Sequence, residues 1–348
     1  MIKYLGSKRL LTRAIAAAMS DLEPGSAVLD VFSGTSRVGQ ALKQRGLHVT
    51  ANDHNAYAFT IAQCYIEADR EEWTEQATAL IEDLNNVPPK AAWFTETYCK
   101  AARFFHPTNG ARIDSIRDRI EALQLDSTLR AIALVSLMEA ADRVDSTTGV
   151  QMAYLKSWAP RALKPLELRV PNLLPGDGVA TCRDALAATS SFDGAAAYLD
   201  PPYNQHSYRS NYHIWETLVR WDKPEVYGVA QKRIDCRTIK SEFNSKRKIK
   251  EAFQEVIQAL RVERTVVSFN NEGYLDRHEL ETMLGTLGHV ETIAMDYKRY
   301  VGAQIGIHSP QGEKVGKVSH LRNKELLFVV DHDRERAARA ARTVLSAT

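Results

Sequence analysis

The pattern of apolar and polar positions predicts β-strands on both sides of a long helical stretch. An apolar run at 27–32 leads into the glycine-containing segment FSGTSRVG, and residues 47–53 have the composition of a second strand. A strand, a glycine turn, a helix and a second strand make a βαβ unit, which predicts a parallel sheet. Further apolar runs predict strands at 195–200, at 264–273 and at 325–330.

Residues 56–141 differ from these segments because apolar side chains recur there at helical spacing. We therefore expect an α/β fold with a Rossmann-like, doubly wound, mostly parallel sheet and a helical insertion. The predicted organisation is a catalytic domain formed by 1–55 and 176–335, a mostly helical insertion at 56–175, and a C-terminal helical tail at 336–348. In open α/β sheets ligands bind at the carboxyl ends of the strands, so residues that follow strands are the candidates for function.

Composition places the chain among soluble globular proteins, with 44% hydrophobic and 25% charged residues. The formal net charge of +2 does not by itself indicate a nucleic-acid partner, so any basic surface must come from local clustering. The four cysteines form no CxxC pair, which favours reduced thiols and no zinc site. The N-terminus lacks the apolar run of a secretory signal, and no apolar run approaches the ~20 residues of a membrane span. We expect a cytoplasmic protein without a membrane partner.

The first candidate site follows the strand that ends at Asp30. Gly34 and Gly39 have the spacing G-x-x-x-x-G, whereas a dinucleotide site requires G-x-G-x-x-G. No Lys-Ser/Thr pair follows, which excludes a P-loop. The segment predicts close approach of the backbone to a ligand, or else an ordinary strand–turn–helix connection. Asp53 ends the next strand, where a carboxylate can accept hydrogen bonds from ribose hydroxyls or cap a helix.

The tetrapeptide Asp200-Pro201-Pro202-Tyr203 follows a third apolar strand. The two prolines have no N–H donors, so the site offers a carboxylate and main-chain carbonyl oxygens as acceptors. Such a set of acceptors suits an amino group on a planar ring, and the tyrosine can stack on that ring. The alternative is a Pro-Pro turn without a function.

These motifs, in this order, resemble those of S-adenosylmethionine-dependent DNA adenine-N6 methyltransferases, in particular the Dam-like α group. The corresponding segments are KYLGSKR, DVFSGTSRVG, AND and DPPY, and the resemblance covers most of the chain. The longer segments DPPYNQHSYRSNY, SFNNEG and YKRYVGAQIG are most similar to the branch of modification methylases in restriction-modification systems.

The resemblance implies S-adenosylmethionine as the cofactor, no metal, and double-stranded DNA as the partner. The implied cofactor-binding residues are Tyr4, Lys8, Asp30, Phe32, Ser33, Gly34, Thr35, Asp53 and Asp184. Among them, Tyr4 and Lys8 would contact the methionine end, Asp53 the ribose and Asp184 the adenine. The implied catalytic residues are Asp200, Pro201, Pro202 and Tyr203. They would bind an adenine flipped out of the duplex and promote methylation at N6.

A basic segment at 232–250, with eight Lys or Arg residues against two acids, is the candidate for contacts with phosphates. The alternative is a solvated charged surface. The predicted DNA-binding residues are Lys232, Arg233, Arg237, Lys240, Asn244, Lys246, Arg247, Lys248, Tyr208, Lys298 and Arg299. Asn244 and Arg247 have side chains suited to reading bases.

Arg209, Asn211 and Tyr212 are candidates, with Tyr208, for lining the gap left by the base, or else form a packed loop. His206 and His213 are expected to be polar loop residues. The helical insertion is the expected target-recognition domain.

Other functions remain open at this stage. They are methylation of RNA or of a protein amide, methylation of cytosine N4, a catalytically silent binding module, and a dinucleotide-dependent oxidoreductase. Asp200 favours adenine, because cytosine-N4 enzymes often have serine at this position and RNA or protein methyltransferases more often have asparagine. We expect a bacterial or phage enzyme associated with the nucleoid, with a companion restriction endonuclease or as an orphan methylase.

Overall fold

A computed structural model describes residues 2–6, 8–298, 307–308, 314–316 and 322–347. The strands are β1 (Ala27–Asp30), β2 (His48–Asn52), β3 (Val179–Thr181), β4 (Gly194–Leu199), β5 (Val226–Tyr227), β6 (Lys232–Arg233), β7 (Val262–Asn270), β8 (His289–Lys298), β9 (Ile307–His308), β10 (Lys314–Gly316) and β11 (Arg322–Asp331). The α-helices are α1 (Thr12–Ala17), α2 (Arg37–Lys43), α3 (Ala56–Ala62), α4 (Arg70–Asn86), α5 (Pro107–Ala122), α6 (Ser127–Arg143), α7 (Ala185–Ser190), α8 (Tyr208–Asn211), α9 (His213–Arg220), α10 (Ile249–Gln258), α11 (Arg277–Leu284) and α12 (Arg334–Ala347). Shorter 3₁₀ and π-helical turns occupy Lys8–Leu10, Gln63–Glu67, Thr95–Ala101, Pro160–Leu163, Ile234–Cys236 and Glu242–Asn244.

Seven of the described strands form one sheet, in the order β3-β2-β1-β4-β7-β11-β8. The pairs β3/β2, β2/β1, β1/β4 and β4/β7 are parallel, whereas β11 runs antiparallel to both β7 and β8. The prediction of a mostly parallel α/β sheet is therefore confirmed. From β1 the chain order of the strands extends in both directions, so a crevice opens where the carboxyl ends of β1 and β4 lie side by side.

Helices cover both faces of this sheet, which explains why its central strands are apolar at successive positions. In β4 the side chains of Ala196 and Tyr198 belong to the core beneath α1, α2 and α12. The alternate residues Ala197 and Leu199 pack on the opposite face, in the core that includes Phe253 of α10. This alternation is the two-residue period of a strand.

The helices between β2 and β3 build a third core, as the periodicity of the sequence predicts. Phe94, Phe105 and Leu134 are buried in it. Trp215 of α9 lies in the same cluster although it comes after the DPPY tetrapeptide in the chain. The domain limits assigned from sequence stay a prediction, and this packing joins α9 to the helical block.

The C-terminal helix begins at Arg334 and packs on α1 and β8. Ala337, Ala340 and Val344 are buried on its inner side. The apolar side of the predicted helical tail therefore packs into the core beside the sheet. Among the described helices, none is both long and apolar enough to cross a membrane.

Candidate active site

A cavity of about 420 Å³ opens at the carboxyl ends of β1 and β4. Its lining contains all the predicted cofactor-binding residues and two residues of the tetrapeptide: Tyr4, Lys8, Asp30, Phe32, Ser33, Gly34, Thr35, Asp53, Asp184, Asp200 and Pro202. The fold thus brings together segments that are far apart in sequence. Pro201 is buried, and the ring of Tyr203 packs on Phe269 with 5.4 Å between the ring centroids.

The glycine turn after β1 shapes one wall of the cavity. Gly34 has a φ of +50°, and a Cβ at this position would come within 3.3 Å of the Tyr4 ring. Its N–H donates a hydrogen bond of 3.1 Å to Oδ2 of Asp53. The other oxygen of Asp53 accepts from the main-chain and side-chain nitrogens of Asn55, at 2.9 and 3.0 Å. The turn therefore fixes the orientation of the Asp53 carboxylate at the end of β2.

Asp30 places a largely desolvated carboxyl group at the base of the cavity. Its Oδ2 accepts from the N–H of Gly39 at 3.2 Å. Within the described part of the chain, Asp30 Oδ1 and Ser33 Oγ are buried without a hydrogen-bond partner. Burial, and secondarily the charge of Asp200, raise the pKa of Asp30 to about 8. Buried polar groups without a partner are costly, so both groups are candidates to form hydrogen bonds with a ligand in the cavity.

The Asp200 carboxylate is held from behind through one oxygen. Oδ1 lies 3.0 Å from Nζ of Lys8 and accepts a hydrogen bond of 3.1 Å from Oγ of Ser268. The hydroxyl of Tyr198 is 2.7 Å from that Oγ. Within the described part of the chain, the contacts with Lys8 and Ser268 are both made by Oδ1 of this carboxylate. Its second oxygen, Oδ2, is therefore the one available to accept from a ligand.

Sequence reasoning missed Glu325, which belongs to the same network. The residue is buried, and its carboxylate forms an ion pair with Lys8 through Oε1. Its Oε2 accepts from Nδ2 of Asn270 at 3.2 Å. The strand that contains Glu325 was predicted, but the only signal for this residue was an acidic position beside an apolar run.

The charges of this network determine its protonation. Burial raises the pKa of Asp200 to about 6, with Lys8 opposing that shift and Glu325 adding to it. Burial lowers the pKa of Lys8, but the charges of Asp200 and Glu325 outweigh it and hold that pKa well above its usual value. At neutral pH the ammonium of Lys8 is therefore charged, and Asp200 is mainly ionised.

Stacked aromatic rings line the cavity beside the glycine turn. The rings of Tyr4 and Tyr208 stack with 5.2 Å between centroids, and Tyr4 stacks on Tyr212 at 4.6 Å. The hydroxyl of Tyr208 donates to the carbonyl of Leu5. Tyr208 is half-buried in the cavity lining, and its predicted role toward DNA stays a prediction.

The residues after Tyr208 form a packed segment, which was the alternative to a DNA-facing loop. Arg209, Asn211 and Tyr212 are buried, and Nη1 of Arg209 pairs with Glu216. Arg209 also contributes to the cavity lining. His206 is exposed in the loop, as expected. The expectation for His213 is wrong, because it is buried in α9, where burial lowers its pKa to about 3 and leaves it neutral.

Two of the predicted DNA contacts are engaged inside the protein. Arg233 is 2% exposed and bonds to both oxygens of Asp222, at 2.7 Å each, and to Asp235. This burial contradicts a role for Arg233 in binding phosphates. The amide of Asn244 donates to the carbonyls of Asn204 and His206, at 2.7 and 3.2 Å. Both hydrogen bonds that the side-chain NH₂ group donates are made within the protein, which argues against a role for Asn244 in reading bases.

The other basic residues of the segment are more accessible. Lys232 is half-buried, and the exposed ones are Arg237, Lys240, Lys246, Arg247 and Lys248. Arg237 lies over the ring of Tyr227 at 4.0 Å, and Lys248 pairs with Glu242 at 2.8 Å. Lys240 lines the cavity. The side chain of Lys298 and the whole of Arg299 lie outside the described residues.

Comparison with known proteins identifies relatives of this chain. Residues 4–283 match the family model of the D12 class N6 adenine-specific DNA methyltransferases. The chain is 28% identical over 314 residues to the type II methyltransferase M.NlaIII of Neisseria lactamica, covering 86% of this chain and 92% of that protein.

Two longer relatives match over the same share of this chain. The modification methylase StsI of Streptococcus sanguinis is 27% identical over 320 residues. The type II methyltransferase M.FokI of Planomicrobium okeanokoites is 28% identical over 325 residues. Each match covers 86% of this chain, which spans about half the length of these two proteins, 49% and 50% respectively.

Proposed function

The chain belongs to the D12 class N6 adenine-specific DNA methyltransferase family, and on that premise we propose that it is a site-specific enzyme transferring a methyl group from S-adenosylmethionine to adenine N6 in double-stranded DNA. One observation carries the proposal. Asp200 lies at the edge of a cavity that also contains the predicted cofactor-binding residues, and its Oδ1 is anchored by Lys8 and Ser268.

The cavity has the chemistry that this cofactor requires. S-adenosylmethionine supplies a methyl group on a positively charged sulfur, next to an amino-acid end, a ribose and an adenine. The unpartnered oxygens Asp30 Oδ1 and Ser33 Oγ can form hydrogen bonds with its polar groups, and Asp53 is oriented to accept from ribose hydroxyls. Phe32 and the exposed Leu186 provide apolar surface for the adenine, beside Asp184.

The tetrapeptide would activate a weak nucleophile. The lone pair of adenine N6 is delocalised into the ring. Asp200 Oδ2 and the carbonyl of Pro201 would accept the two N–H hydrogens, which favours a tetrahedral nitrogen and stabilises positive charge as the bond forms. Because Lys8 and Ser268 fix Oδ1 beforehand, this acceptor is preorganised, and such electrostatic preorganisation is a large component of enzymatic rate acceleration.

A base inside a duplex cannot reach this position, so the adenine is expected to flip out of the helix. Tyr203 is the residue that we propose to stack on it. Its ring packs on Phe269, and its carbonyl accepts from the N–H of Tyr274 at 2.9 Å. The stacking surface is therefore supported from two sides, which lowers the entropic cost of holding the base.

The accessible basic residues are the proposed contacts with DNA phosphates. They are Lys232, Arg237, Lys240, Lys246, Arg247 and Lys248, with Lys240 at the cavity itself. Neutralising phosphates releases counterions, so binding is expected to weaken as the salt concentration rises. The helical block at 56–175 is proposed to contribute target recognition.

The relatives suggest a biological setting. Their names describe type II methyltransferases and a modification methylase. We extend this to the present chain as a modification enzyme of the bacterial or phage cytoplasm, acting on nucleoid DNA and protecting it from a companion restriction endonuclease.

The decisive experiment is transfer of radiolabelled methyl from S-adenosylmethionine to unmethylated plasmid DNA, with modified bases located by sequencing. Label at adenine N6 in one short motif is the expected result. Asp200→Ala should abolish transfer and retain cofactor binding, measured by titration calorimetry, while the exposed Glu335→Gln serves as the control. Label only in RNA, or full activity of Asp200→Ala, would refute the proposal.

A further inference from the structure

Glu325 is a buried carboxylate that does not line the cavity, yet it contacts the site through Lys8. The side-chain exposure of Lys8 is 8% and that of Glu325 is 4%. Burying a carboxylate is unfavourable unless it is paired and hydrogen-bonded, and Glu325 meets both conditions through Lys8 and Asn270. The contact of Glu325 with the site is therefore made through Lys8, and any effect of Glu325 on the reaction would pass through that residue.

The sheet register explains how this network is assembled. Glu325 of β11 is the cross-strand partner of Asn270 at the end of β7. Ser268, two residues earlier on β7, projects to the same face as Asn270 because alternate residues of a strand share a face. Ser268 binds Asp200 and Asn270 binds Glu325, so β7 positions both carboxylates, and Lys8 lies between them.

This arrangement divides one ammonium group between two carboxylates. Without Glu325, the whole charge of Lys8 would be directed at Asp200, and an ammonium with three donors can contact both of its oxygens. Lys8 would then compete with the amino group of the substrate for Oδ2. With Glu325 present, Lys8 is held back from that oxygen by a second ion pair.

We propose that Glu325 is a positioning residue for methyl transfer, which holds Lys8 on one oxygen of Asp200 and so leaves the other oxygen to the adenine amino group. The inference rests on the proposed function, because it assumes that Asp200 accepts hydrogen bonds from the substrate. Glu325 touches neither substrate nor cofactor in this scheme, and its effect passes through Lys8.

Glu325→Gln removes the charge and keeps the shape of the side chain. We expect kcat to fall about tenfold, with the KM for S-adenosylmethionine little changed, because the variant affects the reacting groups and not cofactor binding. Glu325→Asp keeps the charge on a shorter side chain. It should recover part of the lost kcat, which distinguishes an effect of charge from damage to packing.

The pH profile of kcat provides the readout that a structural defect would not change. The ionisable groups around Asp200 are Lys8 at the N-terminal turn, Glu325 on β11, Asp30 on β1, Tyr198 on β4, and Tyr203 and Tyr208 after the strand. Of these, Glu325 is an acid whose charge raises the pKa of Asp200. Glu325→Gln should therefore move the acid limb of the kcat profile to lower pH, whereas Glu325→Asp should leave it near its original position.

The experiment measures kcat and the KM values for S-adenosylmethionine and DNA from pH 5 to 8, for the full chain and its variants, with thermal melts to confirm folding. Glu335→Gln, an exposed position on α12, is the matched control. An acid limb that stays in place in Glu325→Gln, or a loss confined to KM for DNA, would overturn the proposal. Both results require an active enzyme, so they leave the proposed function intact, whereas absence of transfer by the unmodified chain would refute the function itself.

Discussion

Asn244 donates a hydrogen bond of 2.7 Å from its side-chain amide to the main-chain carbonyl of Asn204, the residue that follows the DPPY tetrapeptide. The same amide reaches the carbonyl of His206 at 3.2 Å. On the other side of this loop, the hydroxyl of Tyr274 donates to the side chain of Gln205 at 3.1 Å. The loop beside the proposed target pocket is thus fixed from two sides by residues of later segments.

Asn244→Asp should lower kcat by about tenfold or more, because a carboxylate of the same size cannot donate to the two carbonyls and repels them. The bases that are methylated should stay the same. The measurement is single-turnover transfer combined with sequencing of the methylated sites. If Asn244→Asp methylated additional sequences at an unchanged transfer rate, the result would support the prediction that Asn244 reads bases.

The activity of the unmodified enzyme should decline as pH falls through about 6, because protonated Asp200 no longer accepts from the amino group. Lys8 lowers the pKa of Asp200. Lys8→Met should therefore move the acid limb of kcat to higher pH, opposite to the shift expected for Glu325→Gln. The rate profile of each variant from pH 5 to 9 tests this, and shifts of the same sign in both would contradict the assigned charges.

Asp30 should make the stability of the cofactor-free protein dependent on pH. Its pKa is raised from the ordinary value of 3.8 to about 8 in the folded state, so the folded form holds the proton more tightly. The protonated carboxyl of Asp30 contributes its full stabilisation below pH 3.8, the ordinary pKa. This stabilisation is lost progressively as pH rises from 3.8 to about 8. Asp30→Asn should lose this dependence. Thermal melts between pH 5 and 9 should show the melting temperature of the variant rising relative to that of the unmodified protein as pH increases. If the two melting temperatures depend on pH in the same way, Asp30 does not contribute this pH dependence.

Lys246 and Arg247 are exposed, and we expect each to contact a phosphate. Replacing both with Gln should reduce the slope of log K for DNA against log salt by about 2, at roughly 0.9 per contact. The single-turnover rate at saturating DNA should be preserved. Fluorescence anisotropy at several salt concentrations measures the slope, and an unchanged slope would assign these residues to a solvated surface.

Arg233, by contrast, should matter for stability and not for DNA. Its guanidinium is buried and bound to Asp222 and Asp235. Arg233→Gln removes these charge-assisted hydrogen bonds, while Arg220 stays paired with both carboxylates. The loss should lower the free energy of unfolding by about 2 kcal/mol. Urea unfolding measures the loss. If the variant were as stable as the unmodified protein and its log K for DNA depended less on log salt, Arg233 would be a DNA contact after all.

Much of the candidate site could be predicted because its residues follow strands within short motifs. The apolar runs that end at Asp30 and Asp200 predicted parallel strands, and the carboxyl ends of such strands meet at one edge of a sheet. The prolines at 201 and 202 indicated a site of acceptors, since proline has no N–H. The resemblance then supplied roles for Tyr4 and Lys8, and the structure places both in the same cavity.

The assignment of Arg233 to the DNA surface is wrong because burial is not a local property of sequence. Arg233 lies in a run of basic residues that the sequence presents as one surface, but its neighbours Asp222 and Asp235 enclose it. Asn244 has the side chain of a base reader, yet its partners are carbonyls about 40 residues earlier in the chain. Which polar group faces water depends on how later segments pack.

The amino-acid sequence alone determined the βαβ units, the helical block and the identity of the acceptor-rich tetrapeptide, because each depends on spacing and side-chain chemistry within a few residues. Only the tertiary structure decided which oxygen of Asp200 is held and what holds it. Lys8, Ser268 and Glu325 come from an N-terminal turn and two antiparallel strands, and their distances follow from the register of β7 with β11. Charge interactions fall off with distance and strengthen with burial, so their effect on Asp200 exists only once the chain has folded.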